Sequence, residues 1–176
     1  MAVTNARPIA MGVSRIAYGT VGDGVPATEF TPLPLPTKSS VAFNFQDPKE
    51  VKIETEGSID PFYVVLTKDS TDYIEFSIPT PSNDILLAMM GGTLDGTADK
   101  WSEPTELADI NKSFQMDTQV RNGKKVQYTI VNGKIAAKLS QAPGAEQPEL
   151  LLIRVYKQAA ITADGVKKAA FTREVL

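Results

Sequence analysis

The chain has 176 residues and a formal charge of −3, and it contains neither histidine nor cysteine. Disulfides, thiolate nucleophiles and cysteine-ligated metals are therefore impossible, and the Ser-His-Asp and Cys-His triads lack their base, while carboxylate-only and lysine chemistry survive. A pI near 5.1 gives no basic surplus for nucleic acid, and 42% hydrophobic with 22% charged residues is a globular composition at a length that buries a core without staples.

The first 37 residues read as an extended N-terminal arm, and 38–176 as a single β domain. Met1 to Pro8 has no basic region followed by an apolar core, so no signal peptide is expected. The longest apolar run, Ile85 to Met90, falls far short of the roughly 20 residues of a membrane helix. A soluble protein made in the cytoplasm, with no membrane partner, is the expectation. Residues 11–18 suit a strand, which Gly19, Gly22, Gly24 and Pro26 then break. Thr31-Pro32-Leu33-Pro34-Leu35-Pro36 alternates proline, which fixes φ and removes backbone donors. Such a segment is excluded from a sheet interior, leaving a solvated spacer or a strap across another surface.

From Ser39 the apolar period is two. Val41, Phe43 and Phe45 alternate with Ala42 and Asn44, and Val51 and Ile53 with Lys52 and Glu54, each run reading as half-buried. Phe62-Tyr63-Val64-Val65-Leu66 is apolar throughout and predicts a strand covered on both faces. Polar residues 68–72 then form a turn, and Ile74, Phe76 and Ile78 resume the alternation, which predicts a hairpin ending at Pro79-Thr80-Pro81.

One helix interrupts the strands. Ser82 suits an N-cap and Asp84 the positive helix end. Ile85, Leu86, Met89 and Met90 make an apolar face, and Gly91 a left-handed stop. Two turns are too few to be stable alone, so the helix must pack on a sheet of its own subunit or of a neighbour.

Residues 93–112 read as a polar loop holding Trp101 and Pro104. Beyond it, Phe114, Met116, Thr118 and Val120 alternate, then Val126, Tyr128 and Ile130, then Ile135, Ala137 and Leu139. Asn122-Gly123 and Asn132-Gly133 separate the runs, and Asn-Gly favours type I′ turns, so a three-stranded meander is predicted. After a loop at 141–148, residues 149–157 form a strongly apolar strand, and Asp164-Gly165 marks a last turn before 167–175.

None of the chemical constellations is well formed. Gly19-Thr20-Val21-Gly22-Asp23-Gly24 lacks the Gly-Lys-Ser/Thr ending of a phosphate loop and opens no helix. Asp95, Asp99, Glu103, Glu106 and Asp109 lie in a loop unsuited to holding paired carboxylates at a fixed separation, and they miss calcium-loop spacing. They read as a solvated acidic segment. Trp101 reads as a packing anchor before a ligand platform. No catalytic group, metal site or cofactor is expected, and the chain is not expected to be an enzyme. The long segments 19–36 and 167–176 suggest donation to a neighbouring copy, which closes rings or grows filaments.

The order of parts resembles the major tail tube proteins of long-tailed bacteriophages and the related tube protein of type VI secretion. It runs from an N-terminal arm through a long hairpin ending at Ile78 to a helix closing Leu86-Leu87-Ala88-Met89-Met90-Gly91-Gly92. A polar loop with Trp101 and Pro104 follows, then strands with Asn-Gly turns. The resemblance covers most of the chain from Ser39 onward and rests on layout, without an invariant motif. It implies a mainly β fold, two packed antiparallel sheets forming a sandwich or partly closed barrel with one short flanking helix. It also implies a structural virion component of the phage tail, self-assembling into stacked hexameric rings that conduct DNA without binding it specifically. Its partners would be itself and other tail proteins. The segments singled out for self-assembly are the arm (Pro32, Leu33, Pro34, Leu35), the helix face (Ile85, Leu86, Met89) and the terminal strand (Phe171, Val175, Leu176). The alternative is a β-sandwich binding or adhesion module for carbohydrate or protein, with Trp101 and nearby tyrosines as its platform.

Overall fold

The computed structural model describes residues 7–68 and 71–176. In chain order its strands are β1 (Val13–Gly19), β2 (Thr31–Leu33), β3 (Ala42–Asn44), β4 (Lys49–Ile53), β5 (Tyr63–Thr67) and β6 (Tyr73–Pro79). The helix α1 (Asn83–Met90) precedes β7 (Thr93–Asp95), β8 (Lys100–Ser102), β9 (Asn111–Thr118), β10 (Val126–Gln141) and β11 (Leu150–Lys157). The last three are β12 (Ala160–Ile161), β13 (Lys167–Lys168) and β14 (Phe171–Val175).

The main sheet is antiparallel and runs β2-β1-β9-β10-β11-β6-β3, with β14 also pairing β10. The long strand β10 serves two layers. Residues 126–130 pair with β14 and 133–141 with β11, while β9 runs along the other side of residues 127–134. Phe76 on β6 and Phe114 on β9 have ring centroids 5.7 Å apart, although they lie three strands apart along the path. In a flat sheet those strands would be separated by about 14 Å. The sheet therefore doubles over into two packed antiparallel layers sharing β10. Its path ends at β2 and β3, so the sandwich is open and not closed into a barrel. Mainly β, with one short helix, is the architecture expected.

Ile16, Phe76, Ile130, Leu151, Ile153 and Val155 fill the space between the layers and are almost wholly buried. Each such side chain contributes roughly 1.5–3 kcal/mol through its removal from water. Eight residues of helix cannot hold themselves, and α1 packs on β10, β7 and β8 of its own subunit. Ser82 sits at the N-cap with extended backbone, but its side chain makes no capping bond. Instead its carbonyl accepts from the Ile85 and Leu86 N–H groups at 3.0 and 3.1 Å. Gly91 ends the helix at φ 76°, and the Trp101 indole N–H donates to the Gly91 carbonyl at 2.8 Å.

Several expectations are corrected. Asn122 and Gly123 have φ of 52° and 71° and form their turn, but Asn132 and Gly133 lack the positive φ that a type I′ turn needs. That second Asn-Gly marks a bend inside β10, where a Cβ on residue 133 would lie 2.4 Å from Val155 Cγ1. The glycine serves close packing against the neighbouring strands β11 and β9, so the meander is one hairpin followed by a bent strand. β5 pairs with β4 and not with β6, whose neighbours are β11 and β3. Polar residues 68–72 thus join two different sheets; Asp69 and Ser70 within that stretch lie outside the described residues. The polar stretch 93–112 contains the β7–β8 hairpin, closed where the Asp95 carboxylate accepts from the Thr97 N–H at 3.0 Å.

The described part of the expected arm is integrated into the sheet. β1 is paired on both sides and buries Ile16 and Ala17. β2 takes the edge, where Pro32 needs no further ladder bond. Residues 34–36 then strap from that edge toward the other layer, where the Thr37 N–H reaches the Ser77 carbonyl at 2.8 Å. The C-terminal segment is likewise held by its own chain, β14 lying along β10.

Candidate assembly surface

A two-stranded ribbon, β4–β5, stands outside the sandwich and pairs only with itself. Directly opposed residues of an antiparallel pair share a face. One face therefore carries Val51 opposite Val65 and Ile53 opposite Tyr63. The other sets the charged Glu50 and Lys52 against Leu66 and Val64. The first face is apolar at these four residues, and among the described residues nothing covers Val51, Ile53 and Tyr63, while Val65 is half-buried. Every residue of β4 is exposed, as are Tyr63, Val64 and Leu66 of β5; at the tip Ile59 is fully exposed and Phe62 77% exposed. The expected half-burial of Val51 and Ile53, and the two-sided cover of residues 62–66, are absent from the subunit. The pattern is amphipathic, but among the described residues no further strand lies against it.

The ribbon's base is fixed by charge. Asp72, buried just before β6, accepts from Lys68 at 2.6 Å, from Lys157 of β11, and from the Gln46 N–H at 3.1 Å. Burial alone would raise its pKa. The lysine hydrogen bonds and the Gln46 N–H outweigh that and hold it at about 2. Both ends of the ribbon, Gln46 entering and Lys68 leaving, are thus tied to one carboxylate. Beside them Phe43, Phe45, Tyr128 and Phe171 form an aromatic cluster joining β3 to β10 and β14.

An apolar groove of about 690 Å³ opens between the strap and this cluster. Met11, Val13, Leu35, Val41, Phe43 and Met116 line it, and the exposed Lys38 stands beside them.

The segments singled out from sequence fall in different places. Leu35 is exposed on the groove wall, and Pro32 and Pro34 are exposed along the strap. Leu33, Leu86 and Met89 are corrected: they fill the core of their own subunit, because β2 and α1 turn those faces inward. Ile85 is half-buried against the same core. Phe171 joins the aromatic cluster, and Val175 and Leu176 remain exposed at the chain's end. Sequence reasoning missed the ribbon, although the signal was present in an alternation with no third strand to bury it.

Among the described residues no three His, Cys, Asp or Glu side chains are grouped to hold a metal ion. Asp99 accepts from Asn83 at 3.1 Å and Asp109 pairs with Lys134, so the first carboxylate ties the β7–β8 turn to α1 and the second ties its loop to β10. No helix among the described residues is long and apolar enough to cross a membrane.

No protein-family model matches the chain, and no curated protein matches it in sequence. Among solved structures it is similar to the anti-feeding prophage cap, the AFP tube terminating cap seen by cryo-EM. The TM-score is 0.44 at 12% identity, over 100% of both chains.

Proposed function

We propose that this chain is a structural, self-assembling subunit of a phage tail or a related tube, in which stacked rings, six copies each, enclose a channel for DNA. The observation that carries the reading is the β4–β5 ribbon, whose apolar face is uncovered in the single subunit. An isolated two-stranded ribbon is marginal in water, and exposed apolar patches of this kind mark protein contacts. The open ends of the sheet path at β2 and β3 offer further pairing edges. Pro32, Pro34 and Leu35 on the strap, with Val175 and Leu176 beside β14, are the exposed residues proposed to share in the contacts. The net charge of −3 suits a channel that lets DNA slide, since basic walls would hold phosphate.

The binding-module reading loses its platform. Trp101 packs against the core and spends its indole N–H on the Gly91 carbonyl. Negative-stain microscopy of concentrated protein tests the proposal. Rings or short tubes are expected; uniform small particles at every concentration would overturn it.

A further inference from the structure

The groove and the ribbon have complementary properties, and we infer that the ribbon tip of one copy seats in the groove of the next. This deepens the proposed self-assembly and rests on it. Three observations point to a second copy as the occupant. The first is area. Ile53, Ile59, Phe62 and Tyr63 are 49 to 101% exposed, and at roughly 200 Å² per large side chain they offer on the order of 500 Å², the larger part of the about 800 Å² that one partner of a standard interface buries.

The second is shape. Ile59 and Phe62 stand exposed at the tip, while the groove of about 690 Å³ is walled by Met11, Val13, Leu35 and Phe43. The third is charge. Glu54, Glu56 and Asp60 surround the tip and are exposed, and Lys38 at the groove makes no ion pair among the described residues. An acidic, apolar-tipped ribbon thus meets an apolar groove with a cation at its rim.

Self-insertion is disfavoured by the fold. The ribbon starts a few residues beyond Phe43, which itself lines the groove, and five paired residues carry the tip about 17 Å out. Tip and groove are different surfaces, so the contact is head-to-tail and propagates from copy to copy.

The absence of native cysteine permits a direct test. Single variants Ile59→Cys and Leu35→Cys are mixed at concentrations where light scattering shows assembly, then oxidised gently. The mixed disulfide is expected to form about ten-fold faster or more than that between Ile59→Cys and Ser140→Cys, because docking raises the local concentration of one thiol near the other. Lys38→Glu is expected to weaken assembly, and Glu56→Lys with Asp60→Lys to restore it in that background. Assembly with equal cross-linking of both pairs, or with no charge rescue, overturns the docking inference and leaves self-assembly standing. Failure of the unmodified protein to assemble at all overturns both.

Discussion

The Phe43 ring lies 5.2 Å from the Tyr128 ring, centroid to centroid, and so fastens the last strand of one layer to the first half of β10 in the other. It closes the mouth of the sandwich beside the point where the β4–β5 ribbon leaves it. The same phenylalanine lines the groove. A Phe43→Ala change is expected to cost about 1–3 kcal/mol, below a fully buried phenylalanine because the ring is partly exposed. Urea unfolding followed by circular dichroism checks this. A loss under about 0.5 kcal/mol, the range of neutral surface changes, would mean the clasp is incidental.

Asp72 makes a pH-dependent prediction. Its pKa is about 2 when folded against an ordinary 3.8, so the stabilisation it supplies is complete above pH 4 and fades as pH falls through 2. Asp72→Asn is therefore expected to be less stable than the unmodified protein at pH 7, with the gap narrowing between pH 4 and 2. Unfolding midpoints at several pH values measure it. A gap that stays constant down to pH 2 would contradict the assignment.

Two glycines are distinguished by what surrounds them. A Cβ at residue 133 would press on Val155 and the Lys112 carbonyl, while residue 144 faces open space. Gly133→Ala is expected to lose about 1–3 kcal/mol by overpacking against the neighbouring strands, and Gly144→Ala to change stability by less than about 0.5 kcal/mol. Equal effects in paired thermal melts would count against the bent-strand account of β10.

The single tryptophan anchors the end of α1. Trp101→Phe keeps much of the packing but removes the donor to the Gly91 carbonyl, and is expected to cost about 1 kcal/mol. Chemical denaturation monitored by far-ultraviolet circular dichroism suits this variant, because it has no indole fluorescence. No change in midpoint would show that solvent replaces the bond fully.

Local pattern made much of this fold legible. The alternation of Phe114 and Met116 and the Asn122-Gly123 turn are short-range signals, and both elements are present. Asn132-Gly133 carries the same dipeptide with the opposite outcome, because it lies inside β10, paired with β9 and β11 and pressed close to Val155 on the neighbouring strand. Residues 62–66 look like a buried strand since apolarity reports that cover is needed, not who supplies it. β5 accordingly pairs with β4 at the surface. Leu86 and Met89 were legible as an apolar helix face, but only the fold shows that face turned toward its own β10. The assembly surface was hidden for the same reason: an interface residue and a core residue have the same hydropathy.

The central claim is that the ribbon's uncovered apolar surface drives copies of this chain together. Sedimentation velocity over a concentration series, run on the unmodified protein and on an Ile53→Ser, Tyr63→Ser variant that makes the uncovered face polar, is the decisive measurement. Both changes fall on exposed side chains, so the sandwich is expected to fold in each case. The account predicts that the unmodified protein shifts to larger species as concentration rises, while the variant stays at the 19.0 kDa monomer. An unmodified protein that sediments as that monomer at every concentration, or a variant that assembles equally well, would contradict it.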